Sequence, residues 1–202
     1  MSRLITSAKS RIKAVISRNQ KHHPQLEMIW PGLPSPVVPE PPGEFVLRTY
    51  RDADEVEYRN LVENTFRHRF ELDYWLERVV GDGFFIMEHE PSGKIAATCI
   101  AARYPTERYP DGGNLGWLAA RPEFQGNGLG RIVSAAVTKR LVDEGFTDIF
   151  LESDDWRLPA IAIYLKLGWT PNRYSEEMEL RWSAVERQLS AVESKPISGG
   201  SA

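Results

Sequence analysis

Between Leu115 and Arg131 the chain reads LGWLAARPEFQGNGLGR, and this passage constrains the fold more than any other. An uncharged run from Leu115 to Ala120 turns at Arg121-Pro122 and passes through Gln125-Gly126-Asn127-Gly128-Leu129-Gly130. Beyond it Leu129, Val133, Ala136, Val137 and Leu141 recur at steps of three and four, the period of an amphipathic helix. The order is therefore strand, glycine-rich turn, helix start. The first turn of a helix carries N–H groups with no partner inside the helix, and its dipole makes that end positive. Glycines at 126, 128 and 130 keep Cβ atoms off an approaching ligand and permit positive φ. Arg131 adds a positive charge where the dipole disfavours one unless an anion lies close. Phosphate oxygens suit such a pocket. The expected structure is a loop around a pyrophosphate; a turn whose glycines serve only tight packing is the alternative.

Spacing separates the known phosphate loops. A nucleotide P-loop requires Lys-Ser or Lys-Thr after its last glycine, and here Gly130 precedes Arg131-Ile132. A dinucleotide fingerprint places glycines at relative positions one, three and six; these stand at one, three and five. Gln-x-x-Gly-x-Gly, with Gln125, Gly128 and Gly130 fixed, does fit, and it resembles the acetyl-CoA loop of the GNAT superfamily of N-acyltransferases. Farther on, Ala160-Ile161-Ala162-Ile163-Tyr164-Leu165-Lys166-Leu167-Gly168-Trp169 resembles that superfamily's Ala-Ile-x-x-Tyr-x-x-x-Gly-aromatic helix, at the matching distance. The resemblance covers roughly Phe45 to Trp182. Within the superfamily the chain looks closest to bacterial members related to mycothiol synthase, which fixes no substrate.

The resemblance implies an α/β (α+β) fold with a mixed, mostly antiparallel central sheet flanked by helices, in the order β-α-α-β-β-β-α-β-α-β. Periodicity alone gives only mixed α/β. It also implies a wedge between the central strand and the strand at Asp148 to Glu152. There the pantetheine arm of acetyl-CoA, a cosubstrate, would bond to backbone at Leu118, Ala119 and Ala120. Its pyrophosphate would meet Gln125, Gly126, Asn127, Gly128, Leu129, Gly130 and Arg131. Tyr164 matches the superfamily's general acid, which protonates the departing thiolate. No acid lies between Leu115 and Ala120, so Glu152 is the nearest candidate base, with Asp154 and Asp155 behind it. Many members carry Asn seven residues before the tyrosine; here Arg157 stands there, with a CoA phosphate or Asp154 as possible partners. The implied activity is acetyl transfer to a primary amine by direct attack in a ternary complex, without an acyl-enzyme. The acceptor, a small molecule or a peptide, would contact Asn64 to Trp75 and Tyr104 to Gly113. A non-catalytic CoA-binding module that recruits a partner through its basic N-terminal arm is the alternative.

Composition sets outer limits. At 202 residues, with 42% hydrophobic and 26% charged residues, the chain suits one soluble domain. A net charge of −3 argues against a general nucleic-acid binder. A single cysteine, Cys99, in the apolar run Ile95 to Ala102, excludes an internal disulfide and reads as a core thiol. His22, His23, His68 and His89 lack metal-ligand spacing, so no metal is expected. No run of eighteen apolar residues exists, so no membrane span is expected and the cytoplasm is the default compartment. A homodimer stays open.

The expected organisation is an arm and proline-rich extension over 1–43, a transferase domain over 44–182, and a short helix with a frayed tail over 183–202. The first 23 residues carry Lys and Arg without an acid, a solvated arm or a basic amphipathic segment. Seven of the chain's 14 prolines fall between Pro24 and Pro42, which predicts an extended connector lying on the domain surface. Phe45, Leu47 and Thr49 mark a first strand. Tyr58, Leu61, Val62, Thr65 and Phe66 give a helix its inward face, and Leu72, Trp75, Leu76, Val79 and Val80 give a second. Strands are expected at 84–90 and 94–103, joined at Pro91-Ser92-Gly93. Glu176 to Trp182 alternates and predicts a last strand.

Overall fold

The computed structural model describes residues 24–193, so the basic arm over residues 1–23 and the tail beyond 193 lie outside it. Its elements are β1 (Leu26–Ile29), β2 (Phe45–Thr49), α1 (Glu55–Phe66), α2 (Leu72–Leu76), β3 (Val79–His89) and β4 (Lys94–Arg103). There follow β5 (Gly113–Ala120), α3 (Leu129–Asp143), β6 (Ile149–Ser153), α4 (Leu158–Leu167), β7 (Thr170–Pro171) and α5 (Glu176–Glu193). From β2 to β7 this is the expected order. The strands form one seven-stranded sheet in the order β2-β3-β4-β5-β6-β1-β7, antiparallel except where β5 meets β6.

Both faces of the sheet are covered. Ala97, Cys99 and Ala101 of β4 join the apolar cluster under α3, α4 and α5, while Ile100 and Ala102 join the one under α1 and α2. A strand buried on both faces reads as a continuous apolar run instead of an alternating one. That accounts for Ile95 to Ala102, and it leaves Cys99 a fully buried core thiol.

Three expectations about elements are corrected. Ordered structure does not begin near Gly43: Leu26–Ile29 is a strand inside the sheet, antiparallel to β6 and to β7, with Met28 opposite both Leu151 and Pro171. Leu26 and Met28 have no exposed surface, so this stretch is core and not a surface connector. The second helix stops at Leu76, and Val79 and Val80 open β3 instead. A bulge at Gly81 to Gly83 separates the Val79–Ala102 pair from the Phe84–Ile100 pair. A Cβ on Gly83 would stand 2.6 Å from the Val80 carbonyl oxygen, so the bulge requires glycine.

The predicted last strand, Glu176 to Trp182, lies within helix α5. Met178, Trp182, Val185 and Leu189 fall at steps of four, three and four, and all of them join the core. The Ser175 hydroxyl accepts a hydrogen bond from the Met178 amide at 3.2 Å, an N-terminal cap. Glu176, Glu177 and Glu179 in the first turn complement the dipole. The alternation was real but incidental: Leu180, one of its apolar members, is 65% exposed.

Glu27 of β1, buried to 8% exposure, gathers the loop between β4 and β5. It accepts a hydrogen bond from the Tyr109 hydroxyl at 2.6 Å and another from the Asn172 amide, with Arg108 at 3.5 Å. Tyr109 in turn stacks on Phe150 of β6 at 4.5 Å between ring centres. The loop that leads into β5 is therefore fastened by β1.

Candidate active site

β5 and β6 pair at only two positions, Gly113 with Ile149 and Asn114 with Phe150, and then part. On its other edge β5 stays bonded to β4 as far as Ala120 opposite Ala97. Between the pairs Thr98–Ala119 and Ile100–Gly116, Cys99 alone faces both Trp117 and Leu118. This is a β-bulge, and it holds Trp117 at φ +58°, uncommon for a residue with a Cβ. The bulge and the parting strands leave main chain from Leu115 onward facing a wedge.

Two cavities meet there. The larger, about 610 Å³, is lined by Leu118, Ala120, the loop residues Gln125, Gly126, Gly128, Leu129, Gly130 and Arg131, and, from the opposite side, Trp156, Arg157, Pro159, Ala160 and Ile163. The smaller, about 320 Å³, is lined by Phe66, His68, Trp75, Tyr104, Trp117, Glu152 and Tyr164, with Gln25 from the end of β1. Leu118 and Arg157 belong to both.

The glycine loop has two kinds of glycine. Gly126 and Gly128 adopt φ of +88° and +74°, and an added Cβ at either would meet nothing within 4 Å. Gly130 has no positive φ; its added Cβ would stand 3.1 Å from Ile163 Cδ1, so it serves the close approach of α3 to α4. The Asn127 side chain is turned away from the cavity and donates to the Phe124 carbonyl at 3.1 Å, which braces the loop. Among the described residues the successive amides from Gly126 to Gly130 find no protein acceptor, whereas the Arg131 amide is committed to the Gly128 carbonyl at 3.0 Å. Free amides on a helix N-terminus are what a phosphate needs.

Of the residues singled out from sequence, Leu118, Ala120, Gln125, Gly126, Gly128, Leu129, Gly130, Arg131, Arg157, Glu152 and Tyr164 all border this wedge. Ala119 does not: it pairs with Thr98 and its side chain lies in the cluster under α1. The Arg157 side chain forms no hydrogen bond or ion pair with Asp154. Its Nη2 donates to the Leu118 carbonyl at 2.9 Å, and its guanidinium lies over the Phe66 ring at 4.4 Å. Trp117, which the sequence passage contained without marking, emerges as the hub of an aromatic cluster. Phe66, Phe70 and Trp75 all contact it with ring centres 4.6–5.5 Å apart. Only the positive φ at the bulge turns it there, and no local pattern announces that.

The titratable groups differ sharply. Tyr164 is 4% exposed, and burial pushes its phenol well above the ordinary value, with the Arg157 charge partly opposing the shift. Burial also pushes up the Cys99 thiol beneath it. Glu152, open to solvent at one side, is held above the usual carboxylate range by desolvation and then by the neighbouring Glu27 charge across the β1–β6 pair.

The sequence model of the acetyltransferase (GNAT) family matches residues 47–169, more than half of the chain. The chain belongs to the GNAT acetyltransferase family. It is 28% identical over 152 residues to a mycothiol acetyltransferase of Nocardia farcinica, which covers 70% of this chain and 49% of that protein. A mycothiol acetyltransferase of Streptomyces bingchenggensis is 30% identical over 149 residues, 68% of this chain and 46% of that one. The chain thus spans about half the length of the curated relatives it matches. Among solved structures, a GCN5-related N-acetyltransferase from Sphaerobacter thermophilus shares the fold with a TM-score of 0.56 at 20% identity, over 79% of this chain and 53% of that one. A GNAT-family acetyltransferase described as putative, from Novosphingobium aromaticivorans, superposes with a TM-score of 0.58 at 22% identity, over 74% and 60%.

No helix among the described residues is long and apolar enough to cross a membrane. Nor does any group of three or more metal-ligating side chains occur among them.

Proposed function

We propose that this chain transfers an acetyl group from acetyl-CoA to a primary aliphatic amine by direct attack. The observation that carries the reading is the parting of β5 from β6 after two residue pairs, with both cavities meeting at Leu118. In this reading the diphosphate of acetyl-CoA lies on the amides of Gly126 to Gly130, and the pantetheine follows β5 toward Leu118. The amine enters from the smaller cavity, whose aromatic walls and single carboxylate suit an alkylammonium.

The protonated amine gives up a proton to Glu152, and its lone pair forms the C–N bond at the thioester carbon. The carbonyl pair moves to oxygen and returns as the C–S bond breaks. The sulfur takes the Tyr164 proton, the nitrogen releases its second proton, and the tyrosinate is reprotonated. Taken alone, a phenol far above its usual pKa is a poor donor to the thiolate of a thiol with pKa about 8.5. In this reading, however, the thiolate departs beside the buried Tyr164 phenol, where desolvation raises its own pKa as well, so the two bases rise together.

The decisive experiment measures acetyl-CoA binding by calorimetry and free-thiol release across a panel of amines. Binding with no thiol release on any amine would favour the non-catalytic module. Two variants probe the halves of the site. Gly128→Ala places a methyl group where phosphate oxygens would lie and strains a left-handed residue, at a folding cost of about 1–2 kcal/mol. Its acetyl-CoA dissociation constant should rise about ten-fold or more; an unchanged constant removes the loop from the site.

Glu152 sets the acid limb of the rate. Because only the carboxylate accepts a proton, kcat/KM should increase with pH through an apparent pKa above the ordinary glutamate value of about 4.3. Glu152→Gln should remove that limb and lower turnover by about 10²-fold. A pH profile that keeps the same limb in the variant assigns the base elsewhere.

A further inference from the structure

We infer that Arg157 is a catalytic cation of this wedge, stabilising the negative charge that passes from the thioester oxygen to the departing sulfur. The inference rests on the acetyl-transfer reading above and adds a residue to it. Arg157 is fixed at both ends. Its amide donates to the Asp154 carbonyl at 3.0 Å, and its own carbonyl receives the Ala160 and Ile161 amides at 3.0 and 3.1 Å. Its side chain crosses the wedge to the Leu118 carbonyl and rests on Phe66, with Trp156 at 5.8 Å. One N–H is spent there, and a guanidinium has five.

The remaining question is what the charge is for. Among the described residues no carboxylate forms an ion pair with Arg157. The charged and titratable groups facing the same space are Glu152 from β6, His68 from the loop after α1, Tyr104 from the loop before β5 and Tyr164 from α4, while Cys99 of β4 is fully buried and lines neither cavity. A half-buried cation without an anion is unfavourable in the resting site. The reacting amine group itself brings no negative charge, and in the acetyl-transfer reading the phosphates lie on the glycine loop, where Arg131 already lines the larger cavity. The charge left over is the one the reaction creates, first on the thioester oxygen and then on sulfur. Preorganised donors aimed at developing charge in a water-poor site are commonly the largest single contribution to catalysis. The Arg157 field already reaches the buried phenol and the buried thiol, opposing the effect of burial on both.

The test uses the full chain and CoA itself, with the bound thiol titrated by its thiolate ultraviolet absorbance. Arg157→Gln keeps an N–H donor for Leu118 but no charge; Arg157→Lys keeps the charge without the fork. Denaturant midpoints establish that both are folded, and the Lys variant carries the test if the Gln variant is not. The bound thiol should ionise at least one pH unit lower in the wild-type complex than in Arg157→Gln, with Arg157→Lys between them. Turnover should fall about 10²-fold in Arg157→Gln with the acetyl-CoA KM changed less than about three-fold, and Arg157→Lys should recover part of it. Equal thiol ionisation in both complexes overturns the inference. So does a loss confined to the KM of acceptors that carry a carboxylate, which would make Arg157 an acceptor contact. Absence of CoA binding by the wild type sinks the acetyl-transfer reading too, whereas binding and turnover with an unshifted thiol sink this inference alone.

Discussion

Tyr164→Phe is expected to lower turnover by about 10²–10⁴-fold while leaving acetyl-CoA affinity within about two-fold. The substitution removes one oxygen from a ring that otherwise stays packed beside Trp169, 6.4 Å between ring centres. The hydroxyl accepts or donates no hydrogen bond within the described residues, so its loss leaves no protein partner unsatisfied and stability should hardly change. The pH profile supplies a second reading. Burial raises this phenol, so the donating form persists above the ordinary tyrosine value of about 10, and no alkaline limb from Tyr164 should appear below that pH. Turnover retained in Tyr164→Phe would mean that sulfur leaves as the free thiolate, or takes its proton from water. An alkaline limb near neutrality that vanishes in the variant would contradict the buried position of the hydroxyl.

What sequence disclosed of this site follows from which interactions are local. The loop from Gln125 to Arg131 takes its shape from two positive-φ glycines and a helix start, all within one short passage, and the passage could be read directly. Tyr164 sits on a helix bounded by Pro159 and by Gly168 at φ +107°, again local punctuation. The smaller cavity was harder. Its stretches could be named, but Trp117 reaches them through a bulge that exists only because β4 supplies one residue where β5 supplies two. Arg157 was visible as a departure from the resemblance, yet its partner, the Leu118 carbonyl, lies 39 residues away. The Glu176 to Trp182 segment failed for a different reason. It satisfied period two and period 3.6 together, and only burial of Met178, Trp182 and Val185 decides for the helix.

The first strand is where local reading was least able to succeed, and it makes the largest stability prediction. Leu26–Ile29 is four residues long and is followed by the proline-rich stretch, so nothing nearby distinguishes it from a connector. Its partners in β6 and β7 lie more than a hundred residues downstream, and such pairing is specified by the assembled sheet and not by the segment. If the strand is part of the core, Met28→Ala removes a side chain with no exposed surface from between β6 and β7. It should then cost about 2–5 kcal/mol in denaturant unfolding. Val37→Ala, in the same proline-rich region but 89% exposed, should stay within about 0.5 kcal/mol of wild type. Equal, small effects at both positions would return residues 24–43 to the status of a surface connector. A large effect at Met28 alone has a consequence for the site as well. Gln25 lines the smaller cavity, and Glu27 holds the loop that carries Tyr104 there. Loosening β1 should therefore raise the amine KM at temperatures where the sheet is still folded, while the acetyl-CoA KM, set by the glycine loop on the far side of Leu118, stays where it was.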